Sequence, residues 1–501
     1  MTELNAEILR RIVDNDASVA VVQVSQQSPT PQLREFGCSR IEELGEMIGT
    51  AIGNSRQLLR LKIGCYCSTR RPMAASLLLP LLRGLARNRT IQRLDLIYLD
   101  LSQVANRGHD IFSIITPFLQ NQCLRCINIV LCKLPQNVSS LSFALSKCNQ
   151  LEKIELLQHN HGDHSNSVAG RITRASFINS LRSQQNLLEL TLYGQIEGNG
   201  YVELAALLNH SASKVTSLRL NSIPSDESFT ILSDSLAKSK AIKKFEFDSD
   251  RLDNITATGW RAFSAILSDK TCALETLSLE CTKMDDESAT FLGDSLAANT
   301  TVKYLSLQGS RFTPAGWDGF ARCLRSPHSA LEELDISTCN CSANEDESEE
   351  EDGSDENDTP LDDYGAIAIT ESLAMNSSLK KLNLSWNWIT PEGWIEFFDV
   401  LLHSECSLEE LDLSHNDIDD EGVDALVDLL ASMRNFHTLS LHHNSFSMTG
   451  LRALTCLLHP SYNVKNIILG RTEDFFSQSE RDCFNDEIAI EFADVLANNT
   501  S

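Results

Sequence analysis

The sequence predicts an α/β solenoid, with about fifteen parallel strands on a concave face and helices on the convex face. Three observations carry that expectation. The pattern L-x-x-L-x-L-x-x-N occurs in three successive copies: LKKLNLSWN from Leu379, LEELDLSHN from Leu408 and, with Phe in first place, FHTLSLHHN from Phe436. The central leucines, Leu382, Leu411 and Leu439, lie 29 and then 28 residues apart. Each copy is followed by apolar residues at helical spacing, as in Trp394, Phe397, Phe398 and Leu401.

Each part of the copy has a physical reason. In L-x-L the two leucines project to one side of an extended strand and the flanking residues to the other, so one strand face is buried and one stays free. Asn387, Asn416 and Asn444 fall where the chain bends off the strand, and their amides are expected to satisfy buried backbone groups there. Thr390 and Pro391 read as a helix N-cap and a first helical residue, where the N–H that proline lacks is not needed.

The strand pattern extends well beyond these copies. Earlier central residues are Val22, Leu61, Leu94, Ile127, Ile154, Leu190, Leu218, Phe245, Leu277, Leu305 and Leu334, and the last is Ile467. Residues 19–501 therefore read as one repeat solenoid, with 1–18 as an N-terminal helix and cap. Spacings are irregular early, at 33 from Leu61 to Leu94 and 36 from Ile154 to Leu190, and settle near 28 from Leu277 onward.

The stretch Asn416-x-Ile418-x-x-Glu421-Gly422-x-x-Ala425-Leu426, with its alternating repeat lengths, resembles the ribonuclease-inhibitor-like class of leucine-rich repeats. That class also includes the sensor arms of NLR-type receptors and the Ran GTPase-activating proteins. The resemblance implies a right-handed α/β horseshoe. It says less about function, which lives on the exposed residues.

A net charge of −27 disfavours nucleic acid and anionic lipid and favours a partner with a basic surface. The N-terminal MTELNAEILRRIVDND is a charged helix rather than a secretory signal, and no run of 18 apolar residues occurs, so a cytoplasmic protein without membrane contact is expected. The 15 cysteines read as reduced, with Cys281 and Cys339 as small packing residues. Cys65 with Cys67 and Cys339 with Cys341 have C-x-C spacing, but no second pair stands at zinc-site distance. Sequons at Asn88, Asn299 and Asn376 share one repeat position, L-A-x-N-x-[ST], which points to turn chemistry rather than glycosylation.

One segment breaks the rhythm. Leu334 and Leu382 are 48 residues apart, and the surplus is an acidic run, EDESEEEDGSDEN, within 342–360. It reads as a disordered insertion and, functionally, as a lure for a basic partner. Ser348 and Ser354, each followed by acidic residues, are candidate phosphorylation sites. At the other end, Asp486 to Ala497 reads as a repeat helix with no strand after it, either a cap or a point from which the natural chain continues.

No catalytic motif is present, and an enzyme, a metal or a cofactor is not expected. Asp417, Asp419, Glu421 and Asp428 mimic a calcium loop, but the repeat accounts for them, with Asp419 as the helix N-cap. Trp260, Trp317 and Trp394 each follow the glycine that opens a repeat helix and read as core. Trp386 shares its register with His415 and His443 just past the strand, His442 faces inward, and Trp388 lies on the ascending rim. These rings are the candidate hot spot. Glu333, Asp335, Glu410 and Asp412, relieved by Lys381, make the free strand face acidic there. The reading is a monomeric, intracellular, protein-binding scaffold. Alternatives are a Ran-type GTPase activator, using Arg311 or Asn387, and a regulatory arm of a larger NLR-like receptor.

Overall fold

The computed structural model describes residues 2–24, 40–64, 73–101, 111–120, 122–130, 132, 139–157, 175–194, 196, 199–249, 255–338, 361–404, 406–459 and 462–469. The chain forms two compact units, one of Met1–Pro224 with Asp234–Lys243, the other of Ser225–Ser233 with Lys244–Ser501. The acidic insertion with Ser348 and Ser354, the C-x-C pairs and the C-terminal helix lie outside the described residues.

In the first unit eight strands stand in chain order: β1 (Thr2–Glu3), β2 (Val21–Val24), β3 (Arg60–Ile63), β4 (Arg93–Ile97), β5 (Cys126–Val130), β6 (Lys153–Leu157), β7 (Glu189–Tyr193) and β8 (Ser217–Leu220). Every pair of neighbours is parallel. The second unit repeats this with β9 (Lys244–Asp248), β10 (Thr276–Glu280), β11 (Tyr304–Ser306), β12 (Glu333–Asp335), β13 (Lys381–Asn383), β14 (Glu410–Asp412), β15 (Thr438–Ser440) and β16 (Asn466–Ile468). A helix follows nearly every strand, as parallel pairing requires of a crossover.

The extra strand over the fifteen expected is β1. Residues read as wholly helical begin as a strand paired with β2, Thr2 opposite Val22, and turn into the helix Ala6–Val13 only after Asn5 caps it. Periodicity over three or four residues cannot show this, because what selects the strand is the open edge of β2.

The central apolar residues form one line per unit. In the second unit Leu334, Leu382, Leu411, Leu439 and Ile467 are register partners across β12–β16. The first four are buried, as are Trp260, Trp317 and Trp394, which pack with phenylalanines of their own helices. Burial of such a line is the main favourable term for a repeat that cannot bury its own face.

Polar side chains tie successive repeats together at two places. The sequon asparagines Asn88, Asn299 and Asn376 are buried. Asn376 donates to the Leu324 carbonyl at 2.8 Å and accepts from the Ser378 and Leu379 N–H groups at 2.9 and 2.7 Å; Asn299 does the same with Leu267, Thr301 and Val302. Turn chemistry thus accounts for all three. At the helix starts, Thr390 and Asp419 cap through their side chains, accepting from Gly393 and Gly422 N–H. The helices also cap each other: Asp286, Asp363 and Asp420 accept both the N–H and the hydroxyl of the next repeat's capping residue, Thr313, Thr390 and Ser447.

Candidate functional site

The strand ends of the second unit place three aromatic rings in a pile. Trp386 and His415 stack with centroids 3.8 Å apart and planes 12° apart, and His415 and His443 stack at 4.1 Å and 18°. The backbone makes this possible. All three residues have positive φ, 60°, 55° and 55°. Left-handed backbone is uncommon for residues with a Cβ, yet here it recurs in one register, four residues past the central apolar residue, together with Tyr98, Cys281, Gly194 and Gly309. That turn throws the side chain off the strand end, toward its neighbours one strand spacing away. Sequence reasoning matched the three rings in register but missed the cause, for which the glycines at 194 and 309 were the available signal. Cys281, expected as a packing residue, instead belongs to this register and is half-buried.

The pile is exposed at both ends, Trp386 and His443. Trp386 is 41% exposed and Trp388, whose backbone N–H donates to the Leu361 carbonyl at 3.2 Å, is 67% exposed. His442 stands edge-on to His415 at 4.9 Å and shares a hydrogen bond of 3.0 Å with the Ser440 hydroxyl. Four of the five predicted ring residues, Trp386, His415, His442 and His443, are thus brought into contact, with Trp388 exposed two residues beyond Trp386.

Beside them the open strand face carries ordered rows of charge. In register Glu333, Lys381 and Glu410 are neighbours, and the Lys381 ammonium lies 3.4 and 3.5 Å from the two carboxylates, which raise its pKa. Asp335 and Asp412 each spend one carboxylate oxygen on the N–H and hydroxyl of the serine two residues on, Ser337 and Ser414. A second row escaped the sequence reading. Glu332 sits between Lys380 at 2.9 Å and Lys303 at 3.0 Å, whose hydrogen bonds hold its carboxyl below the usual range. Lys303 and Lys380 are matched in this row by Glu332 and, one strand on, by Glu409, so the face stays acidic. Exposed pairs like these add little stability each; what they fix is the charge pattern.

Asn387, named for the GTPase-activating alternative, does not present a catalytic amide. It is buried, donating to the Leu384 and Ile336 carbonyls at 2.9 and 3.2 Å and accepting from Thr338 at 2.9 Å. Arg311 is half-buried on the rim. Among the described residues no group of three or more His, Cys, Asp or Glu side chains is arranged to hold a metal ion, and no helix is long and apolar enough to cross a membrane.

Known proteins share the repeat. A family model described as Leucine Rich repeat matches residues 376–397 and 405–427, the copies that include Trp386 and His415. Human NACHT, LRR and PYD domains-containing protein 14 is 24% identical over 58% of this chain and 24% of its own length. Mouse ribonuclease inhibitor is 26% identical over 58% of this chain and 59% of its own. The chain thus spans about a quarter of the first relative and under two thirds of the second. Residues 376–397 and 405–427 are thus matched as leucine-rich repeats, and the strand and buried asparagine that recur in both units are similar to the repeats of the ribonuclease-inhibitor-like class.

Proposed function

We propose that the second unit is a non-enzymatic protein-binding surface, whose partner brings lysine or arginine side chains to the ring pile and the carboxylates beside it. The observation that carries this is the exposed pair Trp386 and Trp388 at one end of a preordered stack. Indole faces attract guanidinium and ammonium groups, by about 0.5–2 kcal/mol depending on desolvation, and rings already fixed by their backbone lose little entropy on binding. Glu333, Asp335, Glu410 and Asp412 supply charge of the matching sign. The name ribonuclease inhibitor makes one relative a binder of another protein, which accords with this reading. We place the protein in the cytoplasm as a monomer, with nucleic acid disfavoured by its charge.

The test is anisotropy of labelled arginine-rich peptides on the full chain. Binding should weaken about tenfold in Trp386→Gly and again in Trp388→Ala, and fall with added salt. Equal binding by these variants would refute the surface. The NACHT, LRR and PYD relatives favour a second reading, in which the same surface serves as the regulatory arm of a larger receptor.

A further inference from the structure

The open face of the first unit carries a separate arrangement of the opposite charge. Arg60 on β3 and Arg93 on β4 are register partners, and two residues along the strands Lys62 pairs with Asp95, and Asp95 with Asn128 on β5. The Asp95 side chain is only 2% exposed. Its carboxylate accepts from Arg60 Nε at 2.8 Å, from Arg93 Nε at 3.0 Å and from Asn128 Nδ2 at 2.7 Å.

Both guanidiniums are therefore gripped through the same atom. Among the described residues neither makes a hydrogen bond or ion pair through its Nη groups, and their side chains are 34% and 38% exposed. A guanidinium held at Nε keeps its planar Nη edge for a second oxyanion. Two cations against one carboxylate leave the spot positive, in a chain of net charge −27. Of the neighbours, Glu155 on β6 bears on Arg93 but is itself matched by Lys153 at 4.0 Å. Cys126, beside Arg93 on β5, is a neutral thiol, pushed up to about 11 by burial. Lys153 on β6 is taken up by Glu189 at 2.9 Å, so the positive end is confined to β3 and β4.

We infer that Arg60 and Arg93, oriented by Asp95, form a preorganised receptor for an oxyanion carried on an acidic polypeptide segment, as a side-chain carboxylate or a phosphomonoester. Burying an acid between two arginines costs solvation, and the charge rows on the other unit do without it; what it adds here is fixed direction. A peptide fits better than nucleic acid, because a long polyanion would meet the negative charge over the rest of the chain while a short acidic segment meets only this spot. Asp95 is a positioning residue. This site is independent of the ring pile.

The experiment is anisotropy on the full chain with three labelled probes, a glutamate-rich peptide, its phosphoserine counterpart and a single-stranded RNA, with inorganic phosphate as competitor. One peptide should bind, the preferred one telling carboxylate from phosphate, and phosphate should displace it. The double change Arg60→Lys with Arg93→Lys keeps both charges and both exposed positions but loses the planar fork, so affinity should fall at least tenfold in a variant that still melts cooperatively above the assay temperature. Asp95→Asn adds one positive charge and should nevertheless weaken binding. Unchanged binding in the double lysine variant, tighter binding in Asp95→Asn, no binding of either peptide, or stronger binding of RNA than of both peptides would each overturn the assignment.

Discussion

Trp386 lies flat on His415, centroids 3.8 Å apart, because both residues occupy the same left-handed turn of consecutive repeats. The stack and the strain have one origin. A Cβ in that backbone region costs about 1 kcal/mol relative to glycine, while a stacked ring pair returns about 0.5–1.5 kcal/mol.

This separates binding from stability. His415→Ala should be less stable than His415→Gly by about 1 kcal/mol, since alanine keeps the backbone cost and loses the ring. Denaturant midpoints of the two variants decide it, and an alanine variant as stable as the glycine one would contradict the account.

The helix-to-helix caps should act as coupled pairs. Asp420 accepts the Ser447 N–H at 2.7 Å and hydroxyl at 2.6 Å and the Gly450 N–H at 2.9 Å. Asp420→Ala and Ser447→Ala should each cost about 1 kcal/mol, and the double variant less than their sum, because both remove one interaction. A double-mutant cycle with full additivity would exclude the coupling.

The same carboxylate gives a pH dependence. Burial works against its charge, but the bonds from Ser447 and Gly450 outweigh that and hold the Asp420 carboxyl below 3.8. A depressed folded-state value contributes stability that is present above pH 3.8 and lost as pH falls through the folded value. Wild type should therefore lose more stability than Asp420→Asn between pH 5 and acid conditions near pH 3, about the span over which a carboxylate takes up its proton. Parallel pH curves would show that Asp420 contributes nothing to it.

Asn376→Ala leaves the Ser378 and Leu379 N–H groups and the Leu324 carbonyl without their partner in a buried turn. It should cost about 2–4 kcal/mol, as unsatisfied buried groups do, against under 0.5 kcal/mol for alanine at exposed Glu392. Thermal melts of the two variants give the comparison.

Thiol reactivity should sort by burial. Burial pushes Cys132 and Cys323 up to about 12, whereas Cys456 is exposed. Brief iodoacetamide treatment of the native protein, read by peptide mass spectrometry, should label Cys456 and spare the other two. Labelling of Cys323 at the same rate would contradict its burial.

Much of this molecule was settled by periodicity. Leucines at 382, 411 and 439 and asparagines at 387, 416 and 444 mark strand and bend by spacing alone, because each repeat must bury the same face against its neighbour; Thr390 and Asp419 mark the caps because a helix start needs an acceptor. Tertiary structure decided what spacing cannot carry. Left-handed φ at Trp386, His415 and His443 depends on how the turn closes over the next repeat, so the pile of rings was visible as a register but not as a contact. The grip of Asp95 on Arg60 joins residues 35 apart in sequence, and only pairing of adjacent strands brings those two charges within hydrogen-bond reach, whereas Arg93 lies two residues away on the same strand.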